Sequence, residues 1–369
     1  MDYLRRAWVE IDLMAIAKNY DLVCDIVKTQ VIPVIKADAY GHGAVKVAQA
    51  LSEKAVDLFA VSTFDEAIEL RLAGISCDIL IFGYTPASCA LDLAKNNITQ
   101  TVFSYDYAKE LNESAKAENV KIKTHIKLDT GMGRIGFNCK NQLSQVKDVL
   151  NFSNLENQGV FTHFSCADSE EVKDVAYTEH QYASFCAAIS TLEESGFSFK
   201  IKHCSNSGAI LTNHKMKMDA VRAGILLYGI SPSKDLPLPK GFTPAMSFYS
   251  VVSMVKEVEA GSELSYGRLH KTQGVRKIAT VSAGYSDGVP RILSDRGSVL
   301  VNGQRANIVG RICMDQFLLD VTNIDTIKAG DVVTIFGKDL SVEEVAEKAQ
   351  TISYEIICGI SKRVPRIYK

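Results

Sequence analysis

A chain of 369 residues with 47% hydrophobic and 23% charged side chains and a formal net charge of −2 has material for two cores and the balance of an ordinary globular protein. No basic run marks a nucleic-acid surface, and no apolar stretch reaches the roughly 18 residues of a membrane helix, so neither partner is expected. Nine cysteines without a Cys-x-x-Cys pair indicate neither a disulfide framework nor a zinc site, and read as reduced core thiols of a cytoplasmic protein.

In chain order, residues 1–10 are expected as an N-terminal strand that packs with the C-terminal domain. Eight short β-branched runs follow, at 31–38, 58–62, 78–83, 99–104, 121–130, 159–165, 201–207 and 217–222. Helix-like stretches alternate with them, such as TFDEAIELRLAG, in which Phe64, Ala67, Ile68 and Leu72 fall near helical spacing. Near-continuously apolar strands separated by helices predict a parallel sheet covered on both faces. Eight of them predict a closed (β/α)8 barrel over residues 11–235. An open doubly wound sheet is the alternative, because periodicity does not see closure.

Past a proline-rich boundary at 231–244, residues 236–369 change texture. MSFYSVVSMVKEVE, RKIATVSAG, GSVLVNG, RANIVG, QFLLDVT and DVVTIFG are strand-like runs broken by Gly and Asn turns, and predict a mostly-β C-terminal domain. One helix is expected at SVEEVAEKAQ, opened by Ser341 with Glu344 three residues on.

Functional side chains of a barrel sit where its strands end at the C-terminal face. Lys36 closes the first run, Lys127 and Asp129 the fifth with Arg134 just beyond, His163 the sixth, Asn206 and Ser207 the seventh, and Arg222 the eighth. Singly, each reads as an ordinary structural residue. Together they make a cationic rim with hydroxyls, suited to an anionic ligand. Gly224 and Ile225, in RAGIL, would offer backbone N–H groups to a phosphate at the place barrels favour for one. An amine such as Lys36, among apolar neighbours and other cations, loses part of its preference for the ammonium form and becomes nucleophilic. That arrangement suits a pyridoxal phosphate Schiff base; a solvated lysine just past a strand end fits the residues equally well.

Ten ordered blocks span nearly the whole chain: RAWVEIDLMAIAKN (6–19), VIKADAYGHGA (34–44), IKLDTGMGRIGF (126–137), THFSCAD (162–168), SNSGAIL (205–211), VRAGILLYGISPS (221–233), ELSYGR (263–268), ATVSAGYSDGVPR (279–291), NIVGRICMDQ (307–316) and SYEIICGISKRVPRIY (353–368). They resemble the bacterial alanine racemase family, barrel-type isomerases that use pyridoxal 5'-phosphate. The resemblance implies a homodimer with shared active sites that interconverts L- and D-alanine by a two-base mechanism and supplies D-alanine for peptidoglycan. A serine or broad-specificity racemase of the same fold is the alternative; Tyr354 argues for a small pocket, since serine-preferring relatives commonly carry asparagine there. A decarboxylase of the same barrel class would need an acidic specificity patch, and a non-catalytic vitamin carrier would need no second base.

By that resemblance Lys36 holds the cofactor and serves the D-enantiomer as one acid/base group, while Tyr266 of the second subunit serves the L-enantiomer. Tyr40, Ser207, Gly224, Ile225 and Tyr354 would hold the phosphate, and Arg222, hydrogen-bonded to His163, would face the pyridine nitrogen. Cations including Arg134 would stabilise the phenolate of Tyr266, since a free tyrosine titrates near a pKa of about 10. Arg134, together with Met314 and Asp315 of the partner chain, matches substrate-binding positions; Tyr285, Arg291 and Arg311 match the substrate entrance, with Tyr354. Lys127 matches a position where some members carry a carbamate. No metal is expected, because Cys313, Met314 and Asp315 have no second ligand cluster beside them. Cys204, Gly208 and Gly359 depart from the family's commonest residues, away from the proton-transfer pair.

Overall fold

The computed structural model describes residues 6–212 and 215–369, so the first five residues of the expected N-terminal strand lie outside the described residues. The chain divides into two compact units. One comprises Ala15–Ala39 and Ala44–Thr243; the other comprises the residues up to Met14, Tyr40–Gly43 and Pro244–Lys369.

The first unit is a (β/α)8 barrel. Its strands one to eight are Gln30–Pro33, Leu58–Val61, Asp78–Ile81, Ile98–Val102, Ile122–Asp129, Leu155–Phe161, Ile201–His203 and Ala220–Ala223. Neighbours pair in parallel, and strand eight returns to strand one through Val221–Val31 and Arg222–Ile32. Val34 bridges Ala60 of strand two, and Ile35 N donates to Ala60 O at 2.9 Å. These contacts close the sheet and set aside the doubly wound alternative.

Strand one is shorter than the run 31–38 predicts. Proline brings no N–H to a ladder, and past Ile35 the backbone turns left-handed, with φ of 52–54° at Ala37, Asp38, Ala39 and Tyr40. Such a turn is disfavoured by about 1–2 kcal/mol per L-residue, so it must be held. Ala39 N donates to Ile35 O at 2.9 Å, Ala37 N to Glu66 Oε1 at 2.6 Å, and Ala44 N to Asp38 Oδ1 at 2.7 Å. Glu66 does double duty, because its other oxygen accepts from Thr63 N at 3.2 Å and completes the capping box of the helix Phe64–Leu72. Asn19, fully buried, donates to Leu227 O at 3.0 Å and Thr243 O at 2.9 Å and accepts from Thr243 N at 3.0 Å. Both its amide protons and its carbonyl oxygen go into fixing the barrel's exit.

The second unit is built on an eight-stranded sheet containing Ala7–Ile11, Met246–Val258, Arg276–Val281, Ser298–Val301, Gln304–Val309, Phe317–Asp320, Val332–Phe336 and Arg366–Tyr368. Met246–Val258 is its spine, pairing antiparallel with Ala7–Ile11, Arg276–Val281 and Val332–Phe336. Ala7–Ile11 also pairs in parallel with Arg366–Tyr368, so both ends of the chain meet in one sheet. Ser341 Oγ accepts from Glu344 N at 3.2 Å and starts the helix Val342–Lys348. The Glu344 carboxylate turns to Arg305 at 3.0 Å and Lys348 at 3.2 Å, so the reciprocal half of the expected capping pair goes to ion pairing. All nine cysteines are free thiols, but only Cys204 is buried; core packing does not account for the rest. Among the described residues no helix is long and apolar enough to cross a membrane.

Among the described residues of this unit one carboxylate, Asp287, is buried. Asp287 accepts from Arg6 Nη1 at 3.0 Å and Nη2 at 2.5 Å, Arg363 Nε at 2.8 Å and Gly284 N at 2.9 Å. Burial alone would raise its pKa; the hydrogen bonds from Arg6, Arg363 and Gly284 outweigh this and hold the carboxyl below the usual range. Asp287→Ala is expected to cost about 2–3 kcal/mol in denaturant unfolding, the scale of lost charge-assisted hydrogen bonds, held down because both arginines are half-exposed and regain water. The depressed carboxyl contributes fully above its unfolded value near about 3.9, and that contribution is lost as pH falls through the lower folded value. Asp287→Asn should remove this component from unfolding free energies measured between about pH 5 and 2.

Candidate active site

Arg222 lies in strand eight with its guanidinium enclosed, only 3% of the residue being exposed. Its Nη1 is 3.0 Å from His203 Nδ1, and its Nη2 donates to Thr162 O at 2.8 Å and Cys204 O at 2.9 Å and lies 3.2 Å from His163 Nδ1. A guanidinium only donates, so both Nδ1 atoms accept and both imidazole protons sit on Nε2. His203 Nε2 therefore donates to His125 Nδ1, 3.1 Å away. One cation thus fixes three tautomers. Burial, and then the charge of Arg222, hold His163 and His203 well below the ordinary imidazole value, while burial takes His125 to about 4. Burial lowers Arg222 itself to about 10, which leaves it protonated at neutral pH. Among the described residues no carboxylate pairs with it.

Lys127, near the end of strand five, is also buried. It donates to Leu128 O at 2.8 Å and places Nζ 5.4 Å from the centre of the Phe161 ring, which Arg222 also faces at 5.4 Å. Burial first, then Arg222, pulls its pKa down to about 7, so a large share is free amine at neutral pH. Asp129 is spent on backbone: it accepts from Gly131 N at 3.0 Å and Gly133 N at 3.1 Å and shapes the loop that presents exposed Arg134.

Lys36 and His163 stand past their strands rather than on them. Lys36 opens the left-handed turn. His163 follows strand six, whose partner, strand seven, is three residues long and pairs only with Gly159–Phe161. Four cations, Arg222, Lys127, Arg134 and Lys36, act on His163, so these positions do gather. Ser207 starts the short helix Ser207–Thr212, and its Oγ accepts from Gly224 N at 3.1 Å, which brings two more predicted residues together beside Ile225. Asn206 serves as structure: it donates to Phe164 O at 3.2 Å and accepts from Ala209 N at 3.1 Å.

The other predicted residues belong to the second unit. Tyr266 stands at the tip of the hairpin Glu263–Leu264/His270–Lys271 and is 70% exposed. Ser265 Oγ donates to Arg311 O at 2.6 Å and seats this tip on the segment that continues to Met314 and Asp315. Tyr285 N donates to Cys313 O and Ser286 N to Met314 O, each at 3.0 Å, while Arg363 Nη2 reaches Asp315 at 2.7 Å. Arg291 opens the next turn, whose Ser294 Oγ accepts from Ile312 N at 2.9 Å. Tyr266, Tyr285, Arg291, Arg311, Met314 and Asp315 therefore share one scaffold. Elsewhere in the unit the rings of Tyr40 and Tyr354 lie 5.9 Å apart. Burial, and then Tyr354, keep the Tyr40 hydroxyl protonated well above its ordinary range.

Sequence reading missed His125, inside strand five, and His203, the last residue of strand seven, two of the chain's seven histidines. These buried neutral rings set a pH dependence. Their folded pKa values lie below the unfolded value near about 6.5, so the unfolded chain binds more protons and stability falls as pH drops from about 6.5 toward 4. The slope should reach about 1.4 kcal/mol per pH unit for each histidine, measured by unfolding across that window, and their ring signals in NMR should not titrate at pH 6.

Residues 11–232 match the family "Alanine racemase, N-terminal domain" and residues 245–368 match "Alanine racemase, C-terminal domain". The alanine racemase of Desulfovibrio desulfuricans is 42% identical over 367 residues, 99% of this chain and 98% of that protein. That of Methanococcus maripaludis is 43% identical over 369 residues, 98% of each. Among solved structures, the alanine racemase of Clostridium difficile 630 superposes with a TM-score of 0.93 at 40% identity, covering 100% of this chain and 97% of that one. The alanine racemase from Bacillus anthracis with bound L-Ala-P does so at 0.94 and 38%, covering 100% and 96%. Both domain families match in order along the chain, and the chain belongs to the alanine racemase family.

Proposed function

We propose that the protein interconverts L- and D-alanine with pyridoxal 5'-phosphate, as a cytoplasmic homodimer whose sites draw on both chains and whose product feeds peptidoglycan. The observation that carries this reading is the enclosed, protonated Arg222 with neutral acceptors alone around its terminal nitrogens. Nε of Arg222 donates to none of the described residues, which suits a ring nitrogen that accepts. The Ser207 hydroxyl beside Gly224 N, with the N–H of Ile225 next, suits a phosphate, and the protonated Tyr40 with Tyr354 adds hydroxyl donors. Lys36, among the cations around His163, is the residue to hold the aldehyde. When bound, the cofactor supplies the electron-withdrawing system that acidifies the substrate Cα–H.

Racemization needs two proton carriers, because the proton leaves one face of a planar carbon and another arrives on the opposite face. Lys36 Nζ carries the proton for the D-enantiomer, and the phenol oxygen of the partner's Tyr266 carries it for the L-enantiomer. The exposure of Tyr266, Leu269, Ile292 and Met314 supports a second copy that covers them. Arg134 and the backbone N–H of the partner's Met314 orient the substrate carboxylate, with the partner's Asp315 on the same substrate side; Tyr285, Arg291 and Arg311 frame the entrance. Arg222 only donates, so it leaves the ring nitrogen without a proton of its own. Lys127 takes a carbamate: its neutral amine attacks carbon dioxide, an N–C bond forms as one C=O π bond opens, one proton is released, and a neutral side chain becomes an anion. The pKa of about 7 supports that role.

Holoenzyme given L-alanine should form D-alanine, and L-serine should turn over far more slowly, resolved by chiral chromatography; equal rates would return the broad-specificity alternative. Tyr266→Ala should cut L-to-D turnover about 10²–10⁴-fold, the range for a lost general base, while solvent exchange of the D-alanine α-proton survives. Equal losses in the two assays would sink the base assignment. Intact mass in bicarbonate should show an added carbon dioxide that Lys127→Ala lacks; an unmodified mass would remove the carbamate.

A further inference from the structure

The residue before Tyr266 has an unusual backbone. Ser265 has φ 67° and ψ −178°, a region essentially reserved for glycine, where a side chain is under strain unless its surroundings hold it. Here they do. Its Oγ donates to Arg311 O at 2.6 Å, and its carbonyl accepts from Arg268 N at 3.1 Å. Gly310, at φ 71°, backs so closely on this residue that an added Cβ would stand 2.6 Å from Ser265 Cβ and 3.2 Å from Leu264 O. Gly310 is fixed in turn, because its N–H donates to Asp295 Oδ1 at 3.1 Å, and the same oxygen lies 2.8 Å from His270 Nδ1. His270 pairs with Leu264 across the hairpin and returns the path to Ser265. Both flanks of the Tyr266 tip are therefore tied to one strip, Asp295 with Gly310–Arg311.

We infer that Ser265 and Asp295 form a strained latch that positions the Tyr266 phenol, an inference that rests on the assignment of Tyr266 as the base for the L-enantiomer. The backbone angles at Ser265 set the direction in which Tyr266 leaves the hairpin. Glycine would adopt these angles without strain, but it has no hydroxyl to fasten the tip to Arg311. A misplacement of about 1 Å at a proton-transfer group costs about 10²-fold in rate. Ser265 and Asp295 are positioning residues; neither meets the reacting atoms.

The test compares Ser265→Gly, Asp295→Ala and Asp295→Asn in the holoenzyme by thermal unfolding, L-to-D turnover and solvent exchange of the D-alanine α-proton. Ser265→Gly should unfold at the same or a higher temperature, because strain is released, yet lose about 10–10²-fold in L-to-D turnover while D-alanine exchange is kept. Asp295→Ala should show the same one-sided loss, and Asp295→Asn, which retains an oxygen for Gly310 N–H, should recover most of it. Wild-type turnover in Ser265→Gly, or a parallel fall of stability and both reactions, would overturn the latch. Should Tyr266→Ala itself lose the two reactions equally, the base assignment fails first and the latch falls with it, an outcome distinct from failure of the Ser265 variants alone.

Discussion

Around the Arg222 guanidinium stand two backbone carbonyls and two imidazole nitrogens, and no acid among the described residues neutralises it. Taking such a charge out of water costs several kcal/mol, and charge-assisted hydrogen bonds offset much of that cost. They leave the charge itself in place. Burial first, and then its field, press on groups that can respond by giving up protons, and Lys127, His163 and His203 all do so. The barrel mouth therefore handles excess positive charge in two ways, by deprotonating neighbours and by favouring anions.

That one arrangement also ties chemistry to architecture. Thr162 and His163 follow strand six, His203 ends strand seven with Cys204 just past it, and Arg222 belongs to strand eight, so a single side chain fastens three consecutive strands. In the other unit the opposite economy holds. Tyr266 is exposed on a two-residue-stranded hairpin, and its order comes from a few contacts with Arg311, Gly310 and Asp295. Enclosed groups hold position through many bonds; the proposed proton carrier keeps its polar end open.

Much of this is legible in the chain. The barrel shows because its strands are apolar on both faces, and Lys127 and Arg222 are correctly placed because strands five and eight do reach them. From the sequence Lys36 and His163 read as strand ends, yet both stand past their strands. Apolar character continues through Ile35 and Phe164, whereas the regular ladders end at Pro33 and Phe161, with only isolated contacts from Val34, Ile35 and Thr162 beyond them among the described residues. The left-handed turn after Lys36 gives no compositional warning, since Ala, Asp and Tyr are not the residues that signal such a backbone. Asp287 falls within a recognisable block, but its arginine partners lie 281 and 76 positions away in sequence, beyond any local pattern.

The turn at Ala37–Tyr40 also bears on how the lysine moves. Four successive residues confined to a small conformational basin make a stiff mount, so the main chain beneath Lys36 does not yield when its amine is pulled. Reach must come from rotation about the side chain's own bonds, like a whip fixed to a post. Glycines in these places would ease the steric crowding and exchange that stiffness for slack beneath the amine proposed to carry the proton.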